Sequence, residues 1–173
     1  HKGLQKSFVS LSNYLKNDGL MVIFFAHSDP EIWDVFLQCL RSAKMRVVSS
    51  YAIHTENVGN VIARDKTSFM SSVVIACRKL TKTSVGYFEE IIPDIEDKIK
   101  QMINEIPSKK LVTLAITDLL IMVYGQVLEA CTQFSELKSY QKDFDQSFET
   151  LIKGAQDIII KQIILKLTDS DMN

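Results

Sequence analysis

The chain has 173 residues, of which 46% are hydrophobic and 24% are charged, and its formal net charge is -1. This length fits one ordinary domain, and the composition excludes an intrinsically disordered chain. The balanced charge excludes a general attraction to nucleic acid and leaves only a local patch for such contacts. No signal peptide opens the sequence, and Asp118 interrupts the apolar stretch 111–131, so we expect a cytoplasmic protein with no membrane span.

The first half of the sequence alternates between helical and strand patterns. Apolar spacing predicts a helix over residues 3–16, and Asp29-Pro30-Glu31 is typical of the start of a second helix that contains Trp33. Three apolar runs predict strands, over residues 20–26, 46–53 and 71–77. The first two strands flank a short helix, so they should be parallel and joined by a right-handed crossover.

Helical spacing dominates the second half of the sequence. From Val85 onward, a helical seam is formed by Phe88, Ile92, Ile95, Ile99, Met102 and Ile106, with a kink or a fresh start at Pro93. Ser108 is predicted to cap a long helix that ends near Phe134. A last helix is predicted over 144–167, followed by a polar tail at 168–173 that should fray. We therefore expect an α/β part at 1–82 and a helical C-terminal subdomain at 83–173.

The sequence contains no complete catalytic or cofactor motif. It has no GxGxxG, P-loop or GxSxG pattern, and its three cysteines, Cys39, Cys77 and Cys131, each lie in an apolar stretch. We interpret the cysteines as reduced core residues, and we assign no catalytic residue, cofactor-binding residue or metal ligand. The chain by itself is predicted not to be catalytic.

Five polar residues are candidates for contact with a substrate or a nucleic acid: His27, His54, Glu56, Arg64 and Lys66. His27 follows the first strand, and His54 and Glu56 follow the second, so parallel strands would bring them to the edge where open α/β sheets bind ligands. Arg64 and Lys66 lie in the long polar stretch 54–70 and are suited to phosphate contacts. The alternatives are a histidine that caps its own loop and a solvated loop.

Several segments together resemble a known family. The first of them, residues 1–22, is a helix followed by the turn Asn17-Asp18-Gly19 and the strand start Leu20-Met21-Val22. The others are Phe25-Ala26-His27 before a helix with Trp33, Ile53-His54-Thr55-Glu56, Ala63-Arg64-Asp65-Lys66, the strand 71–79, and Tyr124-Gly125 with Leu128-Glu129. Over about residues 1–135 the chain resembles the C-terminal region of S-adenosylmethionine-dependent, adenine-specific DNA methyltransferase homologues. The similar proteins are the large archaeal and bacterial ones with a domain of unknown function and a zinc-ribbon insertion.

The resemblance implies a partial Rossmann-like sheet. The three strands would be the fifth, sixth and seventh of the methyltransferase fold, in the order 5-7-6 with the last strand antiparallel. The strand at 20–26 would then lie at a broken edge, where the fourth strand belongs. The family's cofactor loop and D/N-P-P-Y motif correspond to positions upstream of His1, so S-adenosylmethionine is implied for the complete protein and not for this chain.

Two functions remain open at this stage. The favoured one is the C-terminal part of a DNA adenine methyltransferase-like protein, in agreement with a chain that begins with His1 rather than Met. This part would support an upstream catalytic half and contribute to contacts with DNA. The alternative is a standalone, non-catalytic interaction protein derived from that family. Such a protein would form a homodimer through the edge of the strand 20–26 or through its helices.

Overall fold

The computed structural model describes residues 2–27, 29–54, 71–111, 114, 116–141 and 148–170. These residues form a mixed α/β structure, as predicted. The helices are α1 (Lys2–Tyr14), α2 (Pro30–Ser42), α3 (Phe88–Glu105), α4 (Ser108–Leu111), α5 (Ile116–Thr132) and α6 (Phe148–Ser170). The strands are β1 (Met21–Phe25), β2 (Met45–His54), β3 (Ser71–Lys79), β4 (Val85–Tyr87) and β5 (Glu136–Lys138).

The main sheet has three strands in the order β1-β3-β2. The central strand β3 is antiparallel to both neighbours, so β1 and β2 run in the same direction without touching. Phe25 of β1 and Ala52 of β2 both pair with Val73, on opposite sides of β3. The carboxyl ends of β1 and β2 therefore lie at the same end of the sheet.

Helices cover one face of this sheet. Side chains in β1 alternate, and Met21, Ile23 and Phe25 point to the helices and pack against the core. The ring of Phe25 stacks on Phe36 of α2, with 4.3 Å between the ring centroids. From the other side of the core, α5 approaches the same face, where the ring of its Tyr124 lies 5.1 Å from the Trp33 ring.

Residues from both predicted parts of the chain share one hydrophobic core. Its fully buried members include Trp33 and Ile75 from the first part and Ile99, Leu128 and Ile159 from the second. The division at residue 82 stays a prediction about how the chain is organised. None of the helices in the described part of the chain has both the length and the apolar character that a bilayer crossing requires.

The main errors of the sequence prediction fall in the helical half. Residues 85–87 were predicted to be helical, but they form β4, which pairs in parallel with β5 about fifty residues later. Strand pairing replaces the predicted helix here because Gly86 can lie against the ring of Phe134. A Cβ atom at this position would come within 2.5 Å of the ring. This contact between segments distant in sequence is invisible to a local helical pattern.

Helix boundaries also differ from the predicted ones. α3 continues through Pro93, which lies in its second turn, and its buried residues are Phe88, Ile91, Ile95, Ile99 and Ile103. The predicted helix from Ser108 to Phe134 is divided into α4 and α5. Residue 144 lies outside the described residues. The tail predicted to fray is helical as far as Ser170, and Thr168 Oγ donates to the carbonyls of Ile164 and Leu165.

A lysine from α6 closes the carboxyl end of α3. The Lys166 ammonium donates to the carbonyl oxygens of Ile103 at 2.8 Å, Asn104 at 2.9 Å and Ile106 at 2.5 Å. The last carbonyls of a helix have no partner within the helix, and they carry the negative end of its dipole. Lys166 therefore ties the end of α3 to α6 by charge as well as by hydrogen bonding.

The turn after α2 contains a residue with a left-handed backbone. Lys44 has a φ of 51°, and its N–H donates to the carbonyl of Arg41 at 2.9 Å. Its own carbonyl accepts from Leu80 N–H at 2.8 Å, which joins the start of β2 to the end of β3. A non-glycine residue pays a steric cost in this conformation, and glycine is the usual residue at this position.

We expect Lys44→Gly to raise the free energy of unfolding by about 0.5–1 kcal/mol, because glycine adopts this φ without the clash of a Cβ atom. Urea denaturation followed by circular dichroism measures the change. Lys44→Ala is the matched control: it removes the same charge but keeps the Cβ atom, and it should give no such gain. Equal stability of the two variants would contradict the backbone explanation.

Candidate functional site

β1 forms one edge of the main sheet, and no further strand of the described part of the chain lies beside it. Among the described residues, no backbone group pairs with the side of β1 that faces away from β3. Edge strands of soluble proteins usually carry a charge, a proline or a bulge that discourages further pairing. β1 has the sequence MVIFF, and none of these features is present in it.

The opposite edge, formed by β2, is closed near its start. The N–H of Val47 donates to Thr132 Oγ1 at 2.8 Å, and the carbonyl of Val47 accepts from Gln133 Nε2 at 2.7 Å. The pairing register with β3 also shifts between Val47 and Ser49, which indicates a β-bulge at this point. Side chains at the end of α5 thus replace the strand partner that β2 lacks here.

Thr132 is suited to this position because its hydroxyl both accepts and donates. The Oγ1 atom accepts from Val47 N–H and donates to the carbonyl of Leu128 at 2.8 Å, and the residue is buried. A buried backbone N–H without a partner would be costly. The sequence analysis did not single out Thr132 or Gln133, because a polar pair at the end of an apolar helix gives no signal of a strand edge.

None of the described residues covers the sheet face opposite the helices around β1. Half of the Val22 side chain is exposed, and the exposed fraction is 66% for both Phe24 and Tyr51. Leu4 and Leu11 of α1 and Leu20 before β1 are also exposed. We call the edge of β1 together with Leu20, Val22 and Phe24 the β1 surface. An uncharged strand edge beside exposed large apolar side chains is typical of a protein interface.

His27 occupies the connection between β1 and α2. Its Nδ1 atom accepts from the N–H of Asp29 at 3.0 Å, and its carbonyl accepts from Trp33 Nε1 at 2.8 Å. Asp29 then caps α2 by accepting from the N–H of Glu31 at 2.9 Å. His27 therefore supports the start of α2, and its Nε2 atom is the ring nitrogen left for any contact with a ligand.

The other four candidates are only partly described. β2 ends at His54, at the same end of the sheet as His27, and two strand spacings separate the backbones there by roughly 10 Å. Nothing is described of the His54 side chain. Glu56, Arg64 and Lys66 lie outside the described residues. The structure thus brings two of the five predicted contact residues to one end of the sheet.

All three cysteines lie in the core as free thiols, as their apolar surroundings predicted. Burial raises the pKa of the Cys77 thiol and of the Cys131 thiol to about 12, and it also raises the pKa of Cys39. A thiol with a raised pKa stays protonated at neutral pH and is a poor nucleophile. No group of three or more potential metal ligands occurs among the described residues.

Comparisons of the chain with models of protein families, with curated proteins and with solved structures gave no match.

We expect Thr132→Val to lower the free energy of unfolding by about 1–3 kcal/mol, because it leaves the buried N–H of Val47 without an acceptor. Thr132→Ser keeps the hydroxyl and should cost less. Thermal unfolding of the two variants and the wild type measures the difference. If valine is tolerated as well as serine, the hydroxyl does not hold the edge of β2.

We also expect Cys77 and Cys131 to resist alkylation by iodoacetamide near pH 8 until the protein unfolds, because burial keeps both thiols protonated. An unfolded thiol has a pKa of about 8.5, so the unfolded state loses its proton first as the pH rises. The free energy of unfolding should therefore fall between about pH 9 and pH 12. Mass spectrometry of the alkylated protein checks the first point, and rapid labelling of the native protein would contradict it.

Proposed function

We propose that this chain is the non-catalytic half of a methyltransferase-like α/β protein and that it completes the sheet of a catalytic half. The observation that carries the proposal is the contrast between the two sheet edges. The edge of β2 is closed by α5 at Val47, whereas the edge of β1 carries no charge and pairs with none of the described residues. A partner strand at β1 would satisfy its backbone, and helices of the partner would cover Val22 and Phe24. The chain itself would bind and orient, and carry out no chemistry.

The handedness of strand connections supports this role for β1. α1 and α2 lie on the same sheet face, because Phe8 of α1 contacts Phe36, and Phe36 stacks on Phe25 of β1. When the helices of several right-handed strand–helix–strand units lie on one face of a sheet, each following strand is placed on the same side of the strand before it. The connection from β1 through α2 advances toward β3 and β2. A parallel strand joined to β1 through α1 is therefore expected on the opposite side, at the open edge.

The strand order agrees with the methyltransferase resemblance. β3 lies between β1 and β2 and runs against both, which is the arrangement that the resemblance implies for the fifth, seventh and sixth strands. The chain's own residues do not fit a cofactor site, because no glycine-rich loop occurs in the sequence and His27 Nδ1 is engaged by Asp29. Binding of S-adenosylmethionine and contacts with DNA belong, in this proposal, to the complete protein.

A second candidate is a homodimer that forms through the β1 surface. The strand carries no charge, so two copies can pair antiparallel across a twofold axis without repulsion. The two sheets would then form one six-stranded sheet. This candidate uses the same surface as the first, and the two differ in the protein that occupies it.

The coding sequence upstream of residue 1 distinguishes the two candidates. A D/N-P-P-Y motif in the same reading frame supports the first, and a start codon directly before residue 1 supports the homodimer. For the first candidate, we expect isothermal titration calorimetry to show S-adenosylmethionine binding by the longer protein and none by this chain. Micromolar binding by this chain alone would overturn the proposal.

Replacement of the exposed Phe24 tests which protein occupies the β1 surface. In the longer protein, Phe24→Arg should lower the free energy of unfolding by about 2 kcal/mol, because the partner half buries this ring, whereas in the isolated chain the change should be small. Ile160→Arg, the same kind of change on an exposed position of α6, is the matched control. If sedimentation shows the isolated chain to be a dimer that Phe24→Arg makes monomeric, the homodimer replaces the first candidate.

A further inference from the structure

A cleft opens beside the outer edge of β2, on the side of the sheet away from β1. Its volume is about 400 Å³, and residues of β2, β3, α3 and α5 line it. This volume is in the range of sites that bind small ligands or short peptide segments. The cleft contains none of the residues proposed to meet the catalytic half at β1.

The backbone of β2 faces this cleft with an N–H and a C=O that have no partner among the described residues. Paired residues in antiparallel strands alternate between those that bond to each other and those that point their N–H and C=O outward. Val47 points outward, because its N–H and C=O bind Thr132 and Gln133. Val47 pairs with Cys77, and Ile75 lies two residues from Cys77 on β3. Ser50, the partner of Ile75, therefore also points its N–H and C=O outward, away from β3. Ser50 lines the cleft, and no described backbone group bonds to its outward side.

The closure of the β2 edge therefore stops before the cleft begins. Gln133 and Thr132 bond to the backbone of β2 at Val47, whereas Gly125, two turns earlier on α5, lies against Ser50. A Cβ atom at Gly125 would come within 2.4 Å of Ser50 Oγ. The absence of a side chain at Gly125 lets α5 pack directly against the Ser50 side chain, so that Met122 and Gln126 of the same helix form one wall of the cleft.

The side chains of the cleft combine an apolar floor with polar amides. Met102 of α3, Met122 of α5 and Val73 of β3 supply the apolar lining. Gln126 also lines the cleft and is half-buried, and its amide makes no hydrogen bond among the described residues. Methionine side chains adapt to apolar groups of different shapes, and a free amide can donate and accept at the same time.

The charges around the cleft disfavour an anion. Lys98 lies within 3.2 Å of an Asp94 oxygen and 3.4 Å of a Glu129 oxygen, so its charge is already balanced by two carboxylates. Glu105 adds another carboxylate to the cleft wall. The Lys166 ammonium, bonded to the carbonyls of Ile103, Asn104 and Ile106, lies beside Glu105, so the two lysines and the three carboxylates leave a net charge of -1. This charge favours a neutral or cationic ligand and opposes phosphate groups and carboxylates.

We propose that this cleft binds a short, extended peptide segment with an apolar residue and a basic residue two positions to either side of it. The peptide backbone pairs with the outward N–H and C=O of Ser50 and extends the sheet at β2, in the manner of strand addition to a sheet edge. Its apolar side chain packs between Met102 and Met122, and its basic side chains, which point to the same face of the strand, lie near Glu105. The inference is independent of the function proposed for β1.

Titration of the isotope-labelled chain with three capped pentapeptides tests the proposal by NMR. The first peptide has the sequence Lys-Ala-Leu-Ala-Lys, the second has Glu in place of both Lys, and the third has Pro in place of Leu. We expect the first to shift the backbone resonance of Ser50 and the side-chain amide of Gln126. The second should bind about tenfold more weakly, a difference of about 1.4 kcal/mol. The third should not bind, because it lacks the central N–H and the apolar side chain.

Two variants of the chain locate the binding. Ser50→Pro removes the outward N–H and no bond to β3, and it should abolish the shifts. Gln126→Ala should weaken binding about fivefold, and it keeps the test valid if the proline variant fails to fold. Gln5→Ala on α1 is the control that should bind normally. The proposal is overturned if no peptide shifts Ser50 at millimolar concentration, if acidic and basic peptides bind equally, or if both variants bind as well as the control.

Discussion

Burial of a single face of the three-stranded sheet is the constraint on which the other features depend. α2 and α5 pack on the same face, and they meet where Trp33 contacts both Phe25 and Tyr124. α5 lies close enough to β2 for its last turn to bond to the backbone of Val47, because Gly125 permits the approach. No described helix covers the other face at Phe24. One-sided burial therefore produces both the closed edge of β2 and the exposed β1 surface.

The positions of the main-sheet strands followed from the sequence within one or two residues. Runs of apolar, β-branched residues specify a strand by local preference and burial, and the caps at Asp29 and Pro30 fix the helix between the first two. β4 could not be found this way, because its three residues become a strand only through pairing with β5. The end of α6 was missed because polarity was taken as a sign of fraying, whereas the hydroxyl of Thr168 bonds to the helix itself.

The candidate site was predictable only in outline. The apolar run 20–26 indicated a strand that needs neighbours, and the resemblance implied that it lies at a broken edge of the sheet. The structure leaves that edge unpaired among the described residues. The role of His27 depended on one hydrogen bond, from the N–H of Asp29, which spacing alone does not determine. The closure of β2 by Thr132 and Gln133 joins positions about 85 residues apart. Contacts of this range depend on the packing of α5, and no local pattern encodes them.

Trp33 gives the chain a built-in optical reporter. It is the only tryptophan in the sequence, it is fully buried, and its indole N–H donates to the carbonyl of His27. Its ring touches Phe25 in the α/β part and Tyr124 in the helical part. Separation of the two parts would therefore change its emission even if each kept its secondary structure. Its fluorescence and the helical circular dichroism would change together if the chain unfolds as one cooperative unit.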